Sequence, residues 1–150
     1  MKTPNDPRHQ TRTLALSLVY SNELLVKENS QKKSYESIKK TAIHNLDINN
    51  YDKKMLERIV TGVTTHNTEL KSIITQSSKD WEVESMYLID LSILLIATWE
   101  LYYDDTPQKV IVDEAVELAK TFGSKDSSKF VNGILAGIIT IKENETKNKK

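Results

Sequence analysis

The sequence contains no cysteine, which excludes disulfide bonds and thiolate metal sites and makes a reducing cytoplasm the expected setting. Only 4 glycines and 3 prolines interrupt its 150 residues, and no run shows sustained period-two alternation. The amino terminus lacks the apolar segment of a secretory signal. The most apolar run, from Met86 to Trp99, is shorter than the roughly 20 residues that a membrane span needs. These absences favour a helical protein of the cytoplasm.

Excess charge is also absent, since Lys and Arg together number 21 and Asp and Glu together number 21. No global field therefore steers the protein to a polyanion, and any binding of nucleic acid must be local. The amino terminus does collect Lys2, Arg8, His9 and Arg12, opposed by Asp6. On charge alone, this cluster is equally compatible with ordinary solvated surface.

The sequence shows no constellation of catalytic residues. His9, His44 and His66 fall on three different predicted helices, and none has the spacing of a metal-binding pair. No glycine-rich phosphate loop is present. Adjacent carboxylates such as Asp113 and Glu114 point about 100° apart on a helix, not at one substrate atom. We therefore expect neither an enzyme nor a bound cofactor or metal.

What the sequence does contain is helical periodicity throughout, which predicts an all-α fold. A single helical domain of residues 1–150 is expected, with a flexible segment at 1–7 and a disordered tail at 142–150 that has almost nothing to bury. Trp81 and Trp99 adjoin apolar runs and are predicted in the core or at a subdomain junction. The predicted helices span about residues 8–26, 34–46, 51–74 with a bend near 64–67, 84–103, 110–122 and 126–141.

The last two predicted helices form a pair joined by a short polar turn. Gly123 follows the first helix and is expected in the left-handed conformation that often ends a helix. Ser124 or Asp126 can cap the second helix, in which Gly133 and Gly137 would let another helix approach closely. The apolar stripes of the pair are Ile111, Ala115, Leu118, Ala119 and Phe122, followed by Phe130, Ile134, Leu135 and Ile138.

This helix pair resembles the carboxy-terminal signature of the NusB family of bacterial transcription antitermination factors. The resemblance covers DEAVELAK, then Phe122-Gly123, a serine, and KFVNGIL. Further landmarks come in the family's order and span nearly the whole chain. They are Arg12 followed by Leu18-Val19-Tyr20, then Gly62-Val63, then IATWEL from Ile96 to Leu101.

The resemblance implies about seven helices in two small bundles packed across each other. It also implies binding to the boxA element of nascent ribosomal RNA together with the ribosomal protein NusE, within the elongation complex of RNA polymerase and other Nus factors. Neither a cofactor nor a metal is implied, and both a monomer and a homodimer stay open for the free protein. The residues that the resemblance places on the RNA side are Lys2, Arg8, Arg12, Tyr20, Phe122, Asp126, Ser127 and Lys129.

These residue types suit different parts of RNA. The four cations would neutralise phosphates, Tyr20 or Phe122 could stack on an unpaired base, and Asp126 or Ser127 could bond to base edges. Tyr20 and Phe122 are equally compatible with the core, and Asp126 with a helix cap. Where the family carries successive arginines, this chain has Arg8, His9, Gln10, Thr11 and Arg12, and Leu95 replaces a common central arginine. We therefore expect weak RNA binding by the isolated chain and dependence on the partner.

Two other function classes remain open at this point. The first is a protein-interaction scaffold that keeps the partner surface and has lost RNA contact. The second is an accessory domain of the RNA cytosine methyltransferases that resemble the family at their amino terminus. The chain ends at Lys150 and has neither a nucleotide-binding glycine motif nor a cysteine nucleophile, so the second class is disfavoured.

Overall fold

The computed structural model describes residues 6–29 and 35–148. Within these ranges it contains seven α-helices and no strand, so the predicted all-α fold is confirmed. The helices are α1 (Pro7–Lys27), α2 (Tyr35–Asn45), α3 (Lys53–Thr65), α4 (Asn67–Ser78), α5 (Leu88–Tyr103), α6 (Gln108–Phe122) and α7 (Ser127–Asn148). None of the helices in the described ranges has the length and apolar content needed to cross a membrane.

The chain divides into two compact units, Met1–Thr64 and Thr65–Lys150. In the first unit, α1 packs against α2. Asp6 caps α1 by accepting the Arg8 N–H at 2.9 Å, and Pro7 occupies the first turn, where its missing N–H costs no hydrogen bond. On α3, Met55, Leu56, Ile59 and Val63 are buried at helical spacing. The predicted bend after α3 is confirmed, since the helix stops at Thr65 and α4 begins at Asn67.

The second unit is built around α5, which contacts α4, α6 and α7. Every residue from Asp90 to Leu101 is buried, as expected for a helix that is apolar nearly all round. The sequence placed the start of this helix at Glu84, which is wrong. A 3₁₀ turn, Val83–Ser85, comes first, and Met86 and Tyr87 are extended. This path buries both Val83 and Met86, three residues apart, before α5 begins.

The helix α7 continues to Asn148, whereas the sequence predicted a disordered tail from residue 142. The prediction of disorder is therefore wrong for residues 142–148, and residues 149 and 150 lie outside the described ranges. Extending a formed helix needs no new nucleus, and Lys and Glu are good helix formers. The Glu145 carboxylate also lies close enough to Tyr102 of α5 to help raise its pKa to about 12, after the larger effect of burial.

Candidate nucleic-acid interface

The first turns of α1 contain two of the cations that the resemblance placed on the RNA side, and these two differ in solvent exposure. The Arg8 side chain is 75% exposed, with its Nε 3.9 Å from the Asp6 carboxylate. Arg12 is only 2% exposed. A buried guanidinium cannot neutralise a phosphate in solvent, so Arg12 is a structural residue here. Lys2 lies outside the described residues.

The neighbours of Arg12 show why this part of α1 faces inward. Gln10 and Thr11 are buried, and both bond to the loop before α3. Gln10 Oε1 accepts the N–H of Asn49 at 3.0 Å, and Thr11 Oγ1 accepts the N–H of Asp52 at 2.8 Å. Gln10 and Thr11 therefore hold this loop in place. Farther along α1, Tyr20 is half-buried.

The turn between α6 and α7 is held by two residues that leave no space between them. Gly123 ends α6 with its N–H bonded to Ala119 O at 2.9 Å. Its φ is −91°, so the predicted left-handed conformation is wrong. A Cβ at Gly123 would collide with Ser127 and lie 2.7 Å from Ala119 O. Glycine is needed here because of close packing, not because of a positive φ.

Ser127 is 1% exposed and fastens the turn from inside. Its Oγ accepts the N–H of Ser124 at 2.9 Å, and its own N–H donates to Ser124 O at 3.1 Å. The hydroxyl is therefore not placed to meet a base edge. Ser127 is therefore buried, as Arg12 is, and it holds the backbone of the turn that carries the exposed side chains.

Asp90 of α5 lies beneath this turn and is buried. Burial raises the pKa of its carboxyl, while a hydrogen bond with Ser127 acts in the opposite direction. Within the described residues, its Oδ1 has no hydrogen-bond partner. Ionising a buried carboxyl that lacks part of its hydrogen bonds costs free energy. The stability of the turn should therefore depend on whether Asp90 is ionised.

The outer face of the turn carries the exposed groups. Phe122 is 37% exposed, and Asp126 and Lys129 are also exposed, as the resemblance implied for an RNA-facing corner. The sequence reading missed Lys125, which is exposed in the same turn, and Lys120 in the last turn of α6, which lies 3.9 Å from Glu117. The clustering of lysines around a short loop is the sequence feature that could have identified both residues. The positive end of the α7 dipole adds to this local preference for anions.

The structure thus gathers Phe122, Lys125, Asp126 and Lys129 into one turn of the second unit. Arg8 and Tyr20 lie on α1 in the first unit. Chemically, the turn offers phosphate neutralisation, one aromatic ring and one carboxylate acceptor, a set that suits unpaired RNA.

Comparison with known proteins identifies relatives along most of the chain. The family model described as the NusB family matches residues 9–140. The transcription antitermination protein NusB of Geobacter sp. (strain M21) is 37% identical over 142 residues, covering 91% of this chain and 98% of that protein. The protein of the same name from Halothermothrix orenii is 43% identical over 131 residues, covering 86% and 93%.

Solved structures show the same fold. NusB of T. maritima superposes with a TM-score of 0.71 at 29% identity, covering 92% of each chain. A chain from the structure of the antitermination factors NusB and NusE in complex with dsRNA gives a TM-score of 0.73 at 20% identity, covering 89% of this chain and 96% of that one. At 20% identity, the second of these comparisons supports only the similarity of fold.

Proposed function

The chain belongs to the NusB family, and on that premise we propose that it is a transcription antitermination factor. It binds boxA-type RNA together with the ribosomal protein NusE and supports elongation by RNA polymerase through ribosomal RNA genes. It acts by binding, not by catalysis, and it does so in the cytoplasm. Support comes from relatives that are named transcription antitermination protein NusB and match most of the chain, and from a solved structure of NusB and NusE with dsRNA.

We also propose that the two units work together as one domain of the NusB type. The family match covers residues 9–140 and so includes both units. The amino-terminal segment and the turn would then contribute to one function, with Lys2, Arg8 and Tyr20 from the first unit. A chain cut after Thr64 should therefore lose RNA binding in both fragments.

The observation that carries the proposal is the turn itself. Ser127 and Gly123 fix its backbone from inside, while Phe122, Lys125 and Lys129 remain exposed outside. Groups held in place before binding lose little entropy when the ligand arrives. The turn is therefore a preorganised contact for RNA, although its few charges limit the affinity.

The isolated chain should bind RNA weakly, because few exposed cations lie at the proposed RNA contacts. Arg12 is buried, Arg8 is close to Asp6, and Lys120 is close to Glu117. Sequence-independent affinity rises with the number of phosphates neutralised and should be on the order of 10⁻⁴ to 10⁻⁶ M here. The NusE-type partner would supply the additional contacts that make the complex tight.

The test is a titration of boxA-type RNA with this chain and the NusE-type protein. Lys125→Ala and Lys129→Ala should each weaken binding and lower the slope of log affinity against log salt by about 0.7. Lys40→Ala, an exposed lysine of α2, is the matched control and should leave both quantities unchanged. Wild-type binding that neither turn variant weakens would overturn the role given to the turn.

The alternative function is a protein-interaction scaffold without RNA contact, and the burial of Arg12 favours it. Arg12→Ala cannot decide between the two because it would disturb the interior. Arg8→Ala combined with Lys125→Ala and Lys129→Ala removes surface charge only. Unchanged assembly of this triple variant on RNA with the partner present would favour the scaffold.

A further inference from the structure

Trp81 lies on the surface, although the sequence predicted both tryptophans in the core or at a subdomain junction. It is 51% exposed in the segment between α4 and the 3₁₀ turn, so the core alternative is wrong for Trp81. Trp99 of α5 is only 7% exposed, as predicted. A large aromatic side chain left half in solvent is a candidate contact residue.

The Trp81 backbone is fixed on both sides. At the end of α4, Lys79 adopts a left-handed conformation with φ 49°, and Ser78 Oγ donates to Trp81 O at 2.5 Å. On the other side, the buried Val83 anchors the chain. The indole is therefore presented by a defined turn and not by a loose loop.

The Trp81 ring also has a support. The ring of Phe130 meets it edge to face, with centroids 5.9 Å apart and planes at 81°. Phe130 belongs to the first turn of α7 and directly follows Lys129. Through Phe130, Trp81 therefore contacts the start of α7, which directly follows the turn that we propose to contact RNA.

We propose that the Trp81 indole is a stacking platform for an unpaired base of the bound RNA. The inference rests on the proposed function and extends its contact surface from the turn to the segment before α5. Stacking needs a held, exposed ring face and no particular base, and Trp81 offers that. The lysines of the turn attract phosphates, while Asp80 and Glu82, which flank Trp81, repel them. The sugar-phosphate backbone of the RNA would therefore lie along the lysines, and one of its bases would stack on the indole.

The chain allows a direct optical test because it has only two tryptophans. In Trp99→Phe, all tryptophan fluorescence comes from Trp81. Adding an unpaired boxA-type RNA to this variant in the presence of the NusE-type protein should quench the emission. In Trp81→Phe, the emission comes from the buried Trp99 and should not change when RNA is added.

Affinity gives a second readout. Trp81→Ala should weaken RNA binding about tenfold, with the salt slope unchanged because no phosphate contact is lost. Trp81→Phe should lose less, since a ring remains. Tyr87→Ala, an exposed aromatic at the end of the same segment, is the matched control and should bind as the wild type does.

Three results would overturn the proposal. The first is full RNA binding without quenching of Trp81, together with wild-type affinity of Trp81→Ala. The second is quenching by the NusE-type protein alone, with no further change on RNA addition, which would identify a protein contact. The third is absence of RNA binding by the wild-type complex, which would overturn the proposed function itself. The Lys129→Ala variant separates these cases. It should still weaken RNA binding when only the role of Trp81 is wrong, because the turn then still contacts RNA.

Discussion

At Gly123, the space that a side chain would occupy is already filled by Ser127. Ser127 in turn is fixed by its bonds to Ser124 and lies over Asp90. Each of these residues has little freedom, because a shift in one would break a contact of the next. The positions of the exposed side chains in the turn follow from this buried arrangement.

Gly123→Ala should therefore destabilise the protein by about 1–3 kcal/mol, the usual cost of overpacking. Gly133→Ala is the control, since nothing lies within 4 Å of the Cβ that it adds on α7. That change should stabilise the protein by about 0.5–1 kcal/mol, because alanine is the better helix former. Urea unfolding of both variants measures the difference. Equal effects would contradict the close packing at Gly123.

Asp90 should make stability depend on pH in a defined direction. Its pKa is raised by burial, so the folded state binds the proton more tightly than the unfolded chain. The free energy of unfolding should then fall as pH rises from the ordinary carboxyl pKa through the raised one. Asp90→Asn removes this effect, so its stability relative to the wild type should be greater at about pH 8 than at about pH 5.

Urea unfolding of the wild type and Asp90→Asn at the two pH values measures this difference. Asp126→Asn, which replaces an exposed carboxyl of the same turn, reports any general effect of removing one negative charge. A stability difference between Asp90→Asn and the wild type that stays constant with pH would show that burial does not control this group.

The sequence identified the residue types of the candidate site but not their exposure. Periodicity marks an apolar stripe, yet it cannot tell which polar residues beside the stripe are covered. Arg12 and Ser127 are covered, while Trp81, next to an apolar segment, is not. Exposure depends on contacts between elements distant in sequence, and no local pattern records these contacts.

The sequence predicted which segments form helices more accurately than it predicted where each helix begins and ends. The helix α1 was predicted at about residues 8–26 and spans Pro7–Lys27, because an N-cap and a proline mark its start. The helix α5 begins at Leu88, four residues after the predicted start at Glu84, since burying Val83 and Met86 requires a different local path. At the carboxyl end, α7 passes the predicted end at Ile141 without any further apolar residue.

The packing of α4 on α7 depends on a small residue at one point. Ser77 Oγ donates to Ile134 O at 2.6 Å, and a Cβ at Gly137 would collide with that hydroxyl while lying 3.4 Å from Ser77 Cβ. The expected close approach is confirmed at Gly137. It is wrong at Gly133, which is exposed and has no neighbour there.

Gly137→Ala should destabilise the protein in the wild-type background and much less in a Ser77→Ala background, where the hydroxyl is gone. Ser77→Ala alone should cost about 1 kcal/mol for the lost hydrogen bond. The two changes should therefore be non-additive, with a coupling of about 0.5–3 kcal/mol in a double-mutant cycle of unfolding free energies. Additive effects would contradict the contact between these residues.

For the whole molecule, the balance of 21 basic and 21 acidic residues decides how it meets RNA. Without a net field, association is not steered over long distances, and affinity would depend on the local contacts that we propose for the turn and the first helix. Those contacts are few and partly neutralised. We therefore expect a second protein to complete the RNA-binding surface.

The measurement that tests this expectation most directly is a titration of boxA-type RNA, followed by anisotropy, with and without the NusE-type protein at several salt concentrations. Alone, the chain should bind weakly, with a slope of log affinity against log salt of about −2, as phosphate contacts by Arg8, Lys125 and Lys129 would imply. With the partner, the affinity should rise by about ten- to a hundredfold. Tight binding by the isolated chain that does not respond to salt, or a partner without effect, would contradict the account.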